Sequence, residues 1–205
     1  AARWVQSALD GMTLDQKIGQ LIVSSFRSTY LSRDSDVYRE LVSKVQDQHV
    51  GGFLLFAGRE RAPDVLLNAG YSRSVPGQPL AAASIINRLQ TSSALPLLIS
   101  ADFETGVGFR IGGATTFPRA MAFGAVDDDR LAFQAGRITA IEARALGVHV
   151  NFAPVVDVNN NPRNPVINTR SFGEDPKMVA RLAAAYVRGL VDGGMIATVK
   201  HFPGH

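Results

Sequence analysis

Short, nearly uniform apolar runs recur along the chain, separated by longer stretches whose apolar residues return every three or four positions. The runs are Gln20–Val23, Gly52–Phe56, Leu97–Ala101, Val148–Ala153 and Ile196–Lys200. Runs of this length without polar alternation read as parallel strands buried on both faces. The stretches between them read as helices. One is punctuated at both ends: Asp175 can cap it, Pro176 opens it, and Gly193-Gly194 closes it. Its apolar stripe is Val179, Leu182, Ala183, Tyr186, Val187, Leu190 and Val191. A second helix runs over about Asp128–Leu146, with three aspartates at its positive dipole end and Gly147 as its stop. Further helices are expected near Val37–Gln48 and Leu80–Leu89, and a polar loop around Tyr71–Pro79.

Strands and helices alternating at this spacing imply a parallel sheet with right-handed crossovers. Two α/β architectures satisfy the pattern, an open doubly wound sheet and a (β/α)8 TIM-type barrel. No repeat, low-complexity tract or Gly/Ser linker divides the chain, so residues 1–205 read as one unit. Hydrophobic residues make up 46% and charged ones 19%, enough apolar material for a substantial core. Cysteine is absent, which removes a disulfide scaffold, a thiolate metal site and a cysteine nucleophile together. The net charge is only +3, carried mostly by scattered arginines, whereas nucleic-acid binding asks for a clustered basic face. No apolar run approaches the roughly 20 residues of a membrane-spanning helix.

The polar residues that carry chemistry gather just after the expected strands, at the edge where parallel α/β folds bind ligands. Asp102 and Glu104 follow the third, within Asp102-Phe-Glu-Thr-Gly-Val-Gly-Phe-Arg110. Asp157 and Asn159 follow the fourth, and their side chains suit loop backbone groups beyond a strand. Arg170 lies in a loop running into the helix capped by Asp175. Lys200 and His201 end the fifth strand, where neighbouring side chains are expected on opposite faces, one in the site and one bracing a loop. Carboxylates accept from hydroxyls while Arg and Lys donate to them, so convergence of these groups suits a hydroxyl-rich ligand. His201 and His205 have helical metal-pair spacing, but Pro203 and Gly204 between them break any helix. The glycines after Glu104 lack the third glycine and the helix start of a dinucleotide site, and Gly112-Gly113 is a weak phosphate cradle.

Taken jointly, these clusters resemble the N-terminal domain of glycoside hydrolase family 3. The ending Lys200-His-Phe-Pro-Gly-His205 is similar to its β-N-acetylhexosaminidase branch. Met12-Thr-Leu-Asp-Gln-Lys-Ile-Gly-Gln20, Gly51–Phe56, Phe117-Pro118, Asn151-Phe-Ala-Pro-Val-Val-Asp157 and Arg170-Ser-Phe-Gly-Glu-Asp-Pro176 extend the likeness through most of the chain. The resemblance implies a (β/α)8 barrel of which residues 1–205 form about the first five β/α units, since such barrels take about 250 residues. It implies a retaining glycosidase releasing terminal β-linked N-acetylglucosamine from glycans or peptidoglycan fragments. By position, Asp102, Arg110, Arg170, Lys200 and His201 would hold the terminal sugar, His205 would be structural, and Glu104 would be a structural partner. Thr105 and Val107 stand where the family has a glycine and an arginine, so the contact of that arginine is not expected.

The same resemblance places the carboxylate nucleophile and the acid/base pair beyond residue 205, with no cofactor or metal. Carbohydrate is the expected partner, and the remainder of the polypeptide is expected to complete the barrel and cover an otherwise exposed sheet edge. The alternatives are a β-glucosidase of the same family and a non-catalytic sugar-binding barrel. The start at Ala1 and the long insertions point to an exported bacterial protein, with a cytoplasmic setting as the alternative.

Overall fold

The computed structural model describes residues 2–59, 74–75 and 77–205. Of the expected polar loop at Tyr71–Pro79, residues 71–73 and 76 lie outside the described residues, and Pro79 already opens a helix. Five strands form one parallel sheet: β1 (Val23–Arg27), β2 (Gly52–Phe56), β5 (Leu98–Ala101), β6 (Val150–Asn151) and β7 (Ile196–Ala197). Their order in the sheet is β1-β2-β5-β6-β7, so each strand pairs with the next one along the chain. A two-residue antiparallel pair, β3 (Gly58–Arg59) and β4 (Ser74–Val75), stands apart. The helices are α1 (Ala2–Gly11), α2 (Leu14–Gln20), α3 (Asp36–Gln46), α4 (Pro79–Ser92), α5 (Ala120–Val126), α6 (Asp129–Ala145) and α7 (Pro176–Asp192).

Sheet order and burial separate the two architectures left open by the apolar pattern. A doubly wound sheet reverses its strand order at a switch point and is covered on both faces. Here the order never reverses. Phe53, Leu55, Ile99 and Ala101, in matching register, join one apolar core with Leu41 of α3, Ile85 and Leu89 of α4, Ala140 of α6 and Leu182 of α7. The alternate residues Leu54, Leu98 and Ile196 stay outside that core, and Leu98 and Ile196 are exposed. One covered face, one open face and a sequential order make an arc of a β/α barrel.

Helix punctuation follows the sequence closely. Asp175 and Asp128 cap α7 and α6 through side-chain bonds to the N–H groups of Lys177 and Arg130. Two glycines allow α6 and α7 to cross closely: a Cβ on Gly136 would lie 2.2 Å from the Tyr186 carbonyl oxygen, and one on Gly189 2.0 Å from that of Phe133. The expected stripe of α7 is too wide at its end. Val187 is half-buried and Val191 is 60% exposed, because burial there follows Ala185 and Gly189 instead.

The first strand is displaced from its expected place. Thr13 and Gln16 form a reciprocal capping box that starts α2, and this helix consumes the chain to Gln20. The strand then begins at Val23, and its serines are tolerated because β1 lies at the sheet edge. β6 and β7 are shorter than the apolar runs suggest. Pro154 has no N–H to continue a ladder, and beyond Ala197 a single bridge joins Lys200 to Val155.

Candidate functional site

The five residues singled out above, together with Glu104 and Asp157, form one connected network at the C-terminal edge of the sheet. Its geometry starts from Phe103, which is fully buried just past β5. Asn151 on β6 holds the backbone of Phe103 from both sides. Its Oδ1 accepts the Phe103 N–H at 2.9 Å, and its amide donates to the Phe103 carbonyl at 3.4 Å. Pinning Phe103 into the core sends its neighbours Asp102 and Glu104 to the opposite side, so both carboxylates face the open edge.

Lys200 bridges them, its Nζ lying 2.9 Å from Asp102 Oδ1 and 2.8 Å from Glu104 Oε1. Arg170 meets Glu104 with two parallel bonds, Nε to Oε2 at 2.9 Å and a terminal nitrogen to Oε1 at 2.8 Å. Arg110 approaches Asp102 Oδ2 at 3.4 Å, a looser contact, and its guanidinium lies 4.7 Å from the Phe109 ring centre and 5.5 Å from that of Phe56. The Arg110 Nε is buried without a protein partner. Two carboxylates, Asp102 and Glu104, thus face three cations, which is how a partly buried charge cluster is tolerated.

Burial pushes the Glu104 carboxyl up, but hydrogen bonds from Arg170 and then Lys200 outweigh it and hold the group down at about 2. Arg170 is raised in turn, chiefly by its bond to Glu104. Glu104 therefore stays ionised at any ordinary pH and has no proton to deliver. It acts on the two cations, in line with its expected structural role.

Lys200 and His201 depart from the expected split between opposite faces. Both side chains join the network, because the strand ladder ends at Ala197 and strand alternation does not extend to them. The peptide bond between them is cis. His201 Nδ1 lies 2.6 Å from Asp157 Oδ2, and its Nε2 lies 3.5 Å from a terminal nitrogen of Arg170. Asp157 does satisfy loop backbone groups as read from sequence, accepting the N–H groups of His201 and His205. Its grip on the His201 ring is the part that sequence reasoning missed. His205 turns aside to Asn164, whose amide lies 3.3 Å from its Nδ1 and 3.3 Å from its carbonyl oxygen.

The loop carrying Arg110 is held from outside the site. Glu142 on α6 accepts the Thr115 N–H at 3.0 Å and the Thr115 hydroxyl at 2.5 Å. Gly106 has φ +88°, and a Cβ there would meet the Thr115 carbonyl oxygen at 2.6 Å. Val107 is fully buried, so this position contributes packing rather than a contact to the site. Among the described residues no group of three or more His, Asp and Glu side chains is arranged to hold a metal ion.

A sequential parallel arc with a charged network at the strand C-termini defines a β/α-barrel protein. The chain belongs to glycosyl hydrolase family 3, matching the N terminal domain of that family over residues 13–205. It is 35% identical over 201 residues to a β-N-acetylglucosaminidase/β-glucosidase of Cellulomonas fimi, covering 98% of this chain and 31% of that protein. It is 35% identical over 209 residues to β-hexosaminidase A of Pseudoalteromonas piscicida, covering 95% of this chain and 33% of that protein. The structure of a family 3 β-N-acetylglucosaminidase from Paenibacillus sp. str. FPU-7 superposes with a TM-score of 0.78 at 40% identity, over 95% of this chain and 34% of that one. The chain thus spans about a third of the length of these relatives.

Proposed function

We propose that this chain supplies the terminal-sugar subsite of a retaining β-N-acetylhexosaminidase, acting on β-linked N-acetylglucosamine. The observation that carries the proposal is the joining of Asp102, Arg110, Arg170, Lys200 and His201 into one network at the strand C-termini. Asp102 accepts from sugar hydroxyls, and the two guanidiniums and the ammonium donate to them. Glu104, ionised and bonded to Arg170 and Lys200, fixes where those donors point. Such preset donors bind best to the charge and shape of the transition state.

Retaining hydrolysis also needs a carboxylate nucleophile and an acid/base group flanking the glycosidic bond. Asp102 and Glu104 are both engaged by Lys200 and do not fill those roles. The reading assigns them to the part of the protein outside residues 1–205, which also completes the barrel. The full-length protein is expected to release nitrophenol from nitrophenyl N-acetyl-β-glucosaminide faster than from nitrophenyl β-glucoside. The Cellulomonas relative carries both names, so a preference for the glucoside would transfer the assignment to a β-glucosidase. Binding of N-acetylglucosamine with no turnover of either substrate would make the chain part of a non-catalytic sugar-binding barrel.

A further inference from the structure

Asp157 stands just beyond β6 with its side chain only 2% exposed, and three donors from one short segment converge on it. Oδ1 accepts the His205 N–H at 2.8 Å. Oδ2 accepts the His201 N–H at 3.1 Å and faces His201 Nδ1 at 2.6 Å. Burial pushes this carboxyl up, yet the bonds from His201 and His205 outweigh it and keep it below its ordinary value. An ionised carboxylate can only accept, so the proton between Asp157 and the ring belongs to Nδ1. Across the ring, Nε2 faces a terminal nitrogen of Arg170 at 3.5 Å, and a guanidinium can only donate. One neighbour that only accepts and another that only donates favour the same form: hydrogen on Nδ1 and a lone pair on Nε2.

We infer that Asp157 is a positioning residue for the sugar site, holding His201 in the Nδ1–H tautomer so that Nε2 accepts a hydrogen bond from a substrate hydroxyl. The inference rests on the assignment of His201 to the sugar subsite. It deepens that assignment by giving a direction to the hydrogen bond. Nε2 has one lone pair, so a hydroxyl entering here takes the place of the long 3.5 Å contact with Arg170, giving its hydrogen to Nε2 and receiving one from the guanidinium. A group that can only accept, such as fluorine or an ether oxygen, loses one of those two bonds.

The test is a long-range proton–nitrogen spectrum of the full-length protein carrying ¹⁵N-histidine, recorded without ligand near neutral pH, with His201→Gln used to assign the signals. A neutral ring with Nδ1 protonated and Nε2 bare is expected. In Asp157→Asn the side-chain amide can turn a donor towards Nδ1, so Nε2–H signal is expected to appear. The kcat/KM for nitrophenyl N-acetyl-β-glucosaminide is then expected to fall roughly 10- to 100-fold, about the value of a hydrogen bond to a charged group. Asp157→Glu, which keeps the carboxylate, is expected to recover part of both readouts.

An Nε2–H or doubly protonated ring in the unsubstituted protein would overturn the inference. So would an Asp157→Asn variant whose tautomer changes with no change in kcat/KM, or whose activity falls with the tautomer unchanged. Should that variant not fold, the spectrum of the unsubstituted protein decides the tautomer, and the loss of discrimination against monofluoro sugars in His201→Gln decides its use. The ligand-free spectrum is independent of turnover, so a protein that cleaves no N-acetylglucosaminide would sink the functional reading and leave the tautomer standing.

Discussion

The guanidinium of Arg170 and the carboxylate of Glu104 meet face to face across 66 residues of chain, with paired bonds of 2.9 and 2.8 Å. Glu104 is 10% exposed and also bonds Lys200, so it anchors two of the cations assigned to sugar binding. Its pKa of about 2 against an ordinary 4.5 makes the anchor a stability element with a defined pH window. The folded value lies below the unfolded one, so the stabilisation is complete above about 4.5 and is lost as pH falls towards 2. Allowing for the partial exposure of Arg170, it amounts to about 2–3 kcal/mol. Urea unfolding of the full-length protein and of Glu104→Gln should differ by that amount at pH 6, and the difference should shrink steadily below pH 4.5. A difference unchanged down to pH 2.5 would show that the ionised pair is not its source.

Arg170→Lys tests the geometry of the same pair. A lysine keeps the charge but cannot form two parallel bonds to a carboxylate. The variant is expected to fold and to lose roughly 10- to 100-fold in kcat/KM for the N-acetylglucosaminide. Wild-type kinetics would mean that Arg170 serves only as a point charge.

Asp102 and Arg110 carry the proposed sugar contact itself. Asp102→Asn leaves the shape and removes the charged acceptor, and Arg110→Ala removes the donor beside Phe109 and Phe56. Each is expected to lower kcat/KM roughly 100-fold, with circular dichroism unchanged. Near-normal kinetics in both would remove the site assignment.

Much of this arrangement is legible in the sequence, and the exceptions have a common cause. Asp102 and Lys200 stand out because charge placed after an apolar strand has few destinations other than a ligand edge. Arg170, in a loop before a helix, is singled out only by the family resemblance. Helix α7 reads correctly because Asp175, Pro176 and Gly193 act locally. The first strand is misplaced because the Thr13–Gln16 capping box, a local signal, outweighs the apolar run that follows it. Asp157 is half-read: a loop aspartate bonding backbone is a local expectation, but its hold on His201 spans 44 residues and exists only once β6 and β7 pair. Side-chain partners chosen by the fold leave no periodic trace.

The close crossing of α6 and α7 gives a stability prediction separate from the site. Gly136→Ala would place a methyl group against the Tyr186 carbonyl and force the helices apart, at a cost of roughly 1–3 kcal/mol. Gly11→Ala, at the end of α1 with nothing within 4 Å, is expected to be neutral or slightly stabilising. Thermal unfolding of the two variants should therefore separate by several degrees. Equal unfolding temperatures would show that the crossing relaxes freely.

Helix α6 is linked to the proposed sugar contact through a residue that lies outside it. Both groups of Thr115, its N–H and its hydroxyl, are held by the Glu142 carboxylate, and the loop they end begins at Glu104 and carries Arg110. Thr115 also returns its carbonyl to the Gly108 N–H at 2.9 Å, so one anchor fixes the loop on both sides of Arg110. Releasing it by Glu142→Ala frees the guanidinium to sample positions in which it no longer faces Asp102. The expected result is a loss of roughly 10-fold in kcat/KM from a residue outside the site. If that loss passes through Arg110, it cannot be added to the loss in Arg110→Ala, since removing the guanidinium leaves nothing for the loop to position. The double variant Glu142→Ala with Arg110→Ala should therefore match Arg110→Ala alone within about twofold. Independent, multiplying losses would show that Glu142 acts on the fold at large and not through the arginine.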